Sequence, residues 1–240
     1  MNGIILAAGR GSRMGSLTQK LPKCRTVFNG KELIQWQLDS LYDAGIEEIA
    51  IVRGYLKDTF TLDLTYFDNS RWDDTNMVRS LIAAEEWLMN RTCIISYSDI
   101  VYSSDAVTRL INADGDIVIS YDPNWEKLWK MRFANPLSDA ETFKTTNDNV
   151  LLDIGRRANS INEIKGQYMG LFKFTQNGWS EIIKGLSDVT DNELDKMDMT
   201  TMLNRLINKG TIINTCPIND DWFEIDTEND LNVYHELLKN

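Results

Sequence analysis

The six-residue run GIILAA (residues 3–8) ends in Gly9-Arg10-Gly11-Ser12-Arg13, and Pro22-Lys23 follows within the same segment, LAAGRGSRMGSLTQKLPK (6–23). An apolar run bounded by glycine reads as a buried first strand. Glycines directly after it let backbone N–H groups approach a phosphate with no Cβ in the way. In an α/β sheet this loop lies at the carboxyl end of the strand, where ligands bind. Arg13 and Lys23 then supply fixed positive charge for a triphosphate. A dinucleotide site of the Gly-x-Gly-x-x-Gly type fits less well, because Met14 stands where the third glycine belongs and that loop has no use for Arg13 or Pro22-Lys23. A Walker loop needs Gly-Lys-Ser/Thr, which is missing. A plain glycine-rich turn with solvated basic residues is the remaining alternative.

The 240 residues suit one large α/β domain, or one and a half average domains. Strands are expected at 3–8, 47–53, 62–67, 92–98 and 115–121, with helices at 31–44, 75–89 and 104–113. This alternation predicts a doubly wound, mostly parallel, Rossmann-like sheet. The rhythm breaks over about 122–165, where strands are expected near 140–146 and 149–154. A strand at 167–174, helices near 175–186 and 198–209, short strands at 211–215 and 222–225, and a closing helix at 227–239 complete the pattern. The chain reads as a single domain: residues 1–121 form a nucleotide-binding half, and 122–240 form an acceptor-binding half built onto the sheet.

A net charge of −11 argues against nucleic acid or anionic lipid as a partner. No apolar run approaches the ~20 residues of a membrane span. Cys24, Cys93 and Cys216 are odd in number and lack zinc spacing, which implies a reduced, cytoplasmic setting. The single histidine, His235, excludes multi-histidine zinc hydrolases and Ser-His-Asp enzymes. Oligomeric state stays open, a homodimer included.

The strand, the Gly-x-Gly-x-Arg loop and the Pro-Lys at fixed distance together resemble the signature of nucleotidyltransferases that activate sugar phosphates and alcohol phosphates, enzymes of GT-A-like fold. The resemblance implies that residues Leu6, Ala7, Ala8, Gly9, Arg10, Gly11 and Ser12 wrap the nucleotide, with Arg13 and Lys23 on the reacting phosphates. It implies Mg²⁺ on Asp99, at the end of CIISYSD beside Ser98, and on Asp226 in WFEIDTENDL. A hard cation takes oxygen ligands and is commonly shared between carboxylates and substrate phosphates. Asp226 could instead cap the closing helix, and Asp99 could be a strand-end turn residue.

Gly54-Tyr55-Leu56-Lys57 and the Asn76-x-x-x-Ser80 run resemble segments of CTP:phosphocholine cytidylyltransferases, which implies CTP, with Asn76 and Ser80 near base and ribose. Their spacing puts both on one helix face; a helix cap plus ordinary polar surface is the alternative. Lys127, Lys130 and Arg132 depart from those enzymes and suit an acceptor bearing a carboxylate or extra phosphate. The stretches around them and INEIKGQYMGLFKF (161–174) resemble capsule-cluster cytidylyltransferases acting on phosphorylated glutamine. Acceptor contacts are expected from Trp129, Arg132, Tyr168 and Lys173. A phosphocholine or 2-aminoethylphosphonate enzyme, a sugar-1-phosphate uridylyl- or guanylyltransferase and a non-catalytic nucleotide-binding regulator are the rival readings.

Overall fold

Strand β1 (Asn2–Ala7) is buried along its whole length, as an apolar run with partners on both sides must be. In this computed structural model, which describes residues 1–237, it pairs in parallel with β4 (Ile49–Arg53) on one side and β6 (Cys93–Tyr97) on the other. Between β1 and β4 come β2 (Val27–Phe28), β3 (Lys31–Glu32) and helix α1 (Leu33–Asp43). The chain then runs through β5 (Thr65–Asp68), α2 (Met77–Ile82), α3 (Glu85–Asn90), β6, β7 (Ile100–Val101), α4 (Ser104–Asn112) and β8 (Ile117–Asp122). The second half carries α5 (Trp125–Arg132), β9 (Glu141–Thr145), β10 (Leu151–Arg157), β11 (Gln167–Phe174), α6 (Gln176–Gly185), α7 (Asp191–Lys196), α8 (Met199–Asn208), β12 (Asn214–Pro217), β13 (Phe223–Glu224) and α9 (Glu228–Leu237).

Among the described residues the central sheet has seven strands in the order β12-β8-β11-β6-β1-β4-β5. All run parallel except β11, which is antiparallel to both β6 and β8. Successive side chains on β1 point to opposite faces. Ile5 therefore joins a core with Leu38, Leu41 and Val107 from α1 and α4, while Ile4 and Leu6 join one with Val78, Trp179 and Met202 from α2, α6 and α8. The chain moves outward from β1 to β4 and β5, then returns to β6 on the other side of β1. That reversal opens a crevice at the carboxyl ends of β1 and β6, the usual ligand position in such sheets.

Four expectations need correction. The helix expected at 75–89 is two short helices, broken at Ala83-Ala84. Residues 125–132 are helical: Trp125, Leu128, Trp129 and Arg132 are the buried positions, an i, i+3, i+4, i+7 stripe whose last member is charged. The strand expected at 211–215 lies at Asn214–Pro217. Helix α7 forms where no element was expected, closed by a capping box between Thr190 and Glu193. The end of the closing helix expected to reach residue 239 lies outside the described residues.

Candidate active site

The loop after β1 folds into short 3₁₀ turns over Ser12–Thr18, interrupted by a kink at Gly15, and over Lys23–Arg25. Gly11 sits at φ +66, and a Cβ there would come within 2.7 Å of the Lys23 side chain. Only glycine combines that backbone with that approach. Thr18 Oγ1 donates to the Gly11 carbonyl at 3.1 Å and closes the loop. From the next strand, the Tyr55 amide donates to the Ala8 carbonyl at 2.9 Å and its hydroxyl to the Gln19 carbonyl at 3.0 Å. Gly54 lets this segment lie against Ala8, where a Cβ would collide with the Ala8 carbonyl and Trp72.

Lys23 threads beneath this loop into the crevice. Its ammonium donates to Asp99 Oδ2 at 2.7 Å and to Asp226 Oδ1 at 2.6 Å. Arg13 donates to the same Asp226 oxygen at 2.9 Å. Asp99 and Asp226, far apart in sequence, meet because β7 pairs with β13 and the Ile225 amide donates to the Asp99 carbonyl at 2.9 Å. Gln37, buried on α1, donates to the carbonyls of Tyr97 and Ile100 at 2.9 and 2.6 Å, fixing the turn that carries Asp99.

Burial alone would drive Lys23 toward neutrality, but the Asp99 and Asp226 charges more than offset it and raise its pKa above the ordinary value. It is a fixed cation, not a base. Burial likewise pushes Asp226 upward, yet Lys23, Arg13 and Arg132 hold it below the usual carboxylate range. Asp99 Oδ1 is buried with no hydrogen-bond partner. Among the described residues no three acidic, His or Cys side chains cluster as ligands. Two adjacent carboxylates with an unpartnered oxygen fit a hard cation whose remaining ligands are phosphate oxygens and water.

Two chambers meet over this floor. The first, about 190 Å³, is lined by Leu6, Ala8, Gly9, Gly11, Lys23, Asn76, Ser80, Ser98 and Asp99 among others. The second, about 320 Å³, is lined by Trp129, Asp139, Glu141, Tyr168, Asp198, Glu224 and Asp226 among others. Arg13, Asn76, Met77 and Tyr97 line both, which makes them one continuous cleft. Burial, together with the nearby Asp198 charge, pushes Glu141 above the usual carboxylate range. The Tyr168 hydroxyl is buried without a partner, and the Trp129 indole donates to Asp139 at 3.1 Å.

Not every expected residue lines the cleft. Ala7 faces a core, and Arg10 and Ser12 are exposed outside the chambers, Arg10 lying over the Tyr55 ring at 5.7 Å. Asn76 caps α2, its side chain accepting from the Met77 amide at 2.7 Å, while also bordering both chambers. Ser80 accepts from Asn69 at 3.1 Å. Arg132 and Lys173 are corrections. The Arg132 side chain is only 1% exposed and is engaged by Glu224, Asp226 and Asp230. Lys173 lies on the interior strand β11 opposite Ile94, near the amino end of β6 and away from the site, and donates to the carbonyls of Ile111 and Ala113 at the end of α4. Lys130 pairs with Glu126 along the outer face of α5. Gln37, Tyr97, Glu141, Asp198 and Glu224 went unrecognised in the sequence; for Tyr97 the signal was its place beside Ser98-Asp99 at the end of a buried strand.

Comparison with known proteins gives the family of the chain as a whole. Residues 3–146 fit the MobA-like NTP transferase domain model. The chain is 41% identical to the CTP:phosphoglutamine cytidylyltransferase of Campylobacter jejuni over 98% of its own length and 100% of that protein's. It is 25% identical to the choline-phosphate cytidylyltransferase of Haemophilus influenzae, covering 100% of this chain and 97% of that one. The inositol-1-phosphate CTP transferase of T. maritima superposes with a TM-score of 0.75 at 20% identity, covering 99% of this chain and 95% of that one. The domain match over residues 3–146, together with 41% identity across nearly the whole chain, places this protein in the MobA-like NTP transferase family.

Proposed function

We propose that this nucleotidyltransferase moves CMP from CTP to a small phosphorylated acceptor bearing an ammonium group, with glutamine phosphate the foremost candidate. The observation that carries the reading is the Lys23 ammonium held between Asp99 and Asp226 where the two chambers join. The nucleotide chamber then takes the triphosphate along the 8–23 loop, with Gly54 and Tyr55 bracing the loop and Asn76, Ser80 and Ser98 at the chamber wall. The second chamber takes the acceptor. Its aromatic and acidic lining suits a cationic nitrogen, which glutamine phosphate, phosphocholine and 2-aminoethylphosphonate share and sugar 1-phosphates lack. The expectation that Lys127, Lys130 and Arg132 select an extra anion loses its support, because Lys130 and Arg132 have their own carboxylates and Lys127 lines a different cavity. The full-length identity to the glutamine-phosphate enzyme favours that acceptor over the other two; a role in bacterial capsule chemistry follows from the sequence resemblance alone.

An acceptor phosphate oxygen attacks the α-phosphorus in line as the bond to the bridging oxygen breaks and pyrophosphate leaves. The attacking phosphoryl group of each of these acceptors already carries negative charge near neutral pH, so its oxygen needs no general base. This agrees with His235 lying exposed on α9. Lys23 and Arg13 hold positive charge where it accumulates on the phosphates, and the loop amides orient the chain of phosphates. Asp99 and Asp226 would hold Mg²⁺, whose charge neutralises phosphate oxygens when it is bound. Three buried, unpaired thiols support a reducing, cytoplasmic setting. No helix of the described residues is long and apolar enough to cross a membrane.

The test is pyrophosphate release from each of the four NTPs, with Mg²⁺, against glutamine phosphate, phosphocholine, 2-aminoethylphosphonate and glucose 1-phosphate. CTP with glutamine phosphate should give the highest kcat/KM. Preference for UTP or GTP with the sugar phosphate would overturn the reading.

A further inference from the structure

Arg132 is the last residue of α5, one helical turn after Trp129, which lines the acceptor chamber. Its guanidinium lies 5.1 Å from the Trp129 ring and 5.1 Å from the Phe133 ring. Its side chain is 1% exposed, and each end of the planar group has a carboxylate. Nη1 donates to Glu224. Nε donates to Asp230 Oδ1 at 3.0 Å, and Nη2 stands 3.5 Å from both Asp230 Oδ2 and Asp226 Oδ2. Asp230 in turn accepts from the backbone amides of Asp226 at 3.0 Å and Thr227 at 2.8 Å. The chain of contacts runs from an acceptor-chamber aromatic, through one guanidinium, to the backbone that aims Asp226.

Glu224, Asp226 and Asp230 come from one short segment, and without Arg132 their charges would repel across a desolvated space. A planar fork can engage several carboxylates at fixed angles, whereas an ammonium meets them as a point charge. Replacing a partner that orients a metal ligand typically costs ~10–100-fold in metal affinity or activity.

We propose that Arg132 is a positioning residue that, with Asp230, sets the Asp226 carboxylate for cation binding and keys that carboxylate to the acceptor-chamber helix through Trp129. This rests on reading Asp226 as a metal carboxylate.

The experiment measures Mn²⁺ binding by electron paramagnetic resonance, in the presence of α,β-methylene-CTP, together with melting temperature and steady-state kinetics. The proteins are wild type, Arg132→Met, Arg132→Lys, Asp230→Asn and the surface control Lys130→Met. Arg132→Met and Asp230→Asn should each bind Mn²⁺ ~10-fold or more weakly, with kcat falling in step and the control unchanged. Arg132→Lys should recover part of the loss. Folded variants with lowered melting temperature but wild-type Mn²⁺ affinity would reduce Arg132 to a packing residue and overturn the proposal. Should Arg132→Met fail to fold, Asp230→Asn and Arg132→Lys decide it by the same criterion. Absence of Mn²⁺ binding in the wild type would sink the metal reading of Asp226, and this inference with it; wild-type binding that every variant retains would sink this inference alone.

Discussion

Lys23 bridges two carboxylates in the fold, and the proposed function adds a second role on the reacting phosphates; one substitution tests both. Its side chain is 8% exposed and neutralises Asp99 and Asp226. Removing one partner from a buried ion pair typically costs ~3–5 kcal/mol. Lys23→Met should therefore melt well below wild type in EDTA, with part of the loss restored by Mg²⁺ and CTP, and its turnover should fall ~10²-fold or more. Wild-type turnover in that variant would remove Lys23 from the reacting phosphates. Asp99→Asn should abolish metal-dependent turnover; full activity in excess Mg²⁺ would contradict its role. The thiols give a pH prediction. Burial, ahead of any neighbouring charge, pushes Cys24 and Cys93 up to about 12 from an ordinary 9.0. The fold thus binds these protons more tightly than the unfolded chain, so the thiols' stabilising contribution is complete below about pH 9 and is lost as pH rises toward 12. The melting-temperature gap between wild type and Cys93→Ala should narrow from pH 8 to pH 11; a constant gap would refute the linkage. Lys23, Asp99 and Asp226, singled out through the glycine loop and the family resemblance, are brought together by the fold. Arg132 was misread because its partners, Glu224 and Asp230, lie about a hundred residues on, and Lys173 because strand alternation does not reveal whether a lysine meets carbonyls or substrate.

At the level of elements, the loop after β1 depends on one backbone position more than on its charges. Gly11→Ala places a Cβ 2.7 Å from a Lys23 side chain that cannot retreat, since its ammonium is tied to two carboxylates. The left-handed backbone itself costs an L-residue roughly 1–2 kcal/mol. Gly30, at φ +80 with nothing within 4 Å of a Cβ, provides the comparison. Gly30→Ala should lose stability alone, while Gly11→Ala should lose stability and ~10-fold or more in kcat. Equal kcat in the two variants would show that Lys23 is not held by the loop. Strand β1 was readable as an unbroken apolar run, which both-face burial requires, and β4 and β6 as mostly apolar stretches at 47–53 and 92–98. Helix α5 was not, because Arg132 occupies its fourth buried position and masks the apolar stripe. The 75–89 stretch has helical periodicity throughout, but periodicity does not register the break at Ala83-Ala84 that makes it α2 and α3.

Across the whole molecule, the two halves expected from the sequence share one sheet. Strand β11, from the second half, lies between β6 and β8 of the first, and β8's two sheet neighbours, β11 and β12, both come after residue 121. A fragment of residues 1–121 would leave β8 without those partners and expose the edge of β6, so it should show no cooperative melting. A cooperative transition in that fragment would establish it as a separable unit. The site has the same construction: Lys23 and Asp99 come from the first half, Asp226 and Trp129 from the second. A nucleotide that engages both halves stabilises only the complete fold. At 100 times Kd a ligand adds about 2.7 kcal/mol, which for a chain of this size raises the melting temperature by roughly 5–10 °C. CTP with Mg²⁺ should produce such a shift, and Asp226→Asn should remove most of it, although Lys23 and the glycine loop remain. A full shift in Asp226→Asn would mean that the first half alone holds the nucleotide and that the carboxylate brought by β13 takes no part in binding it.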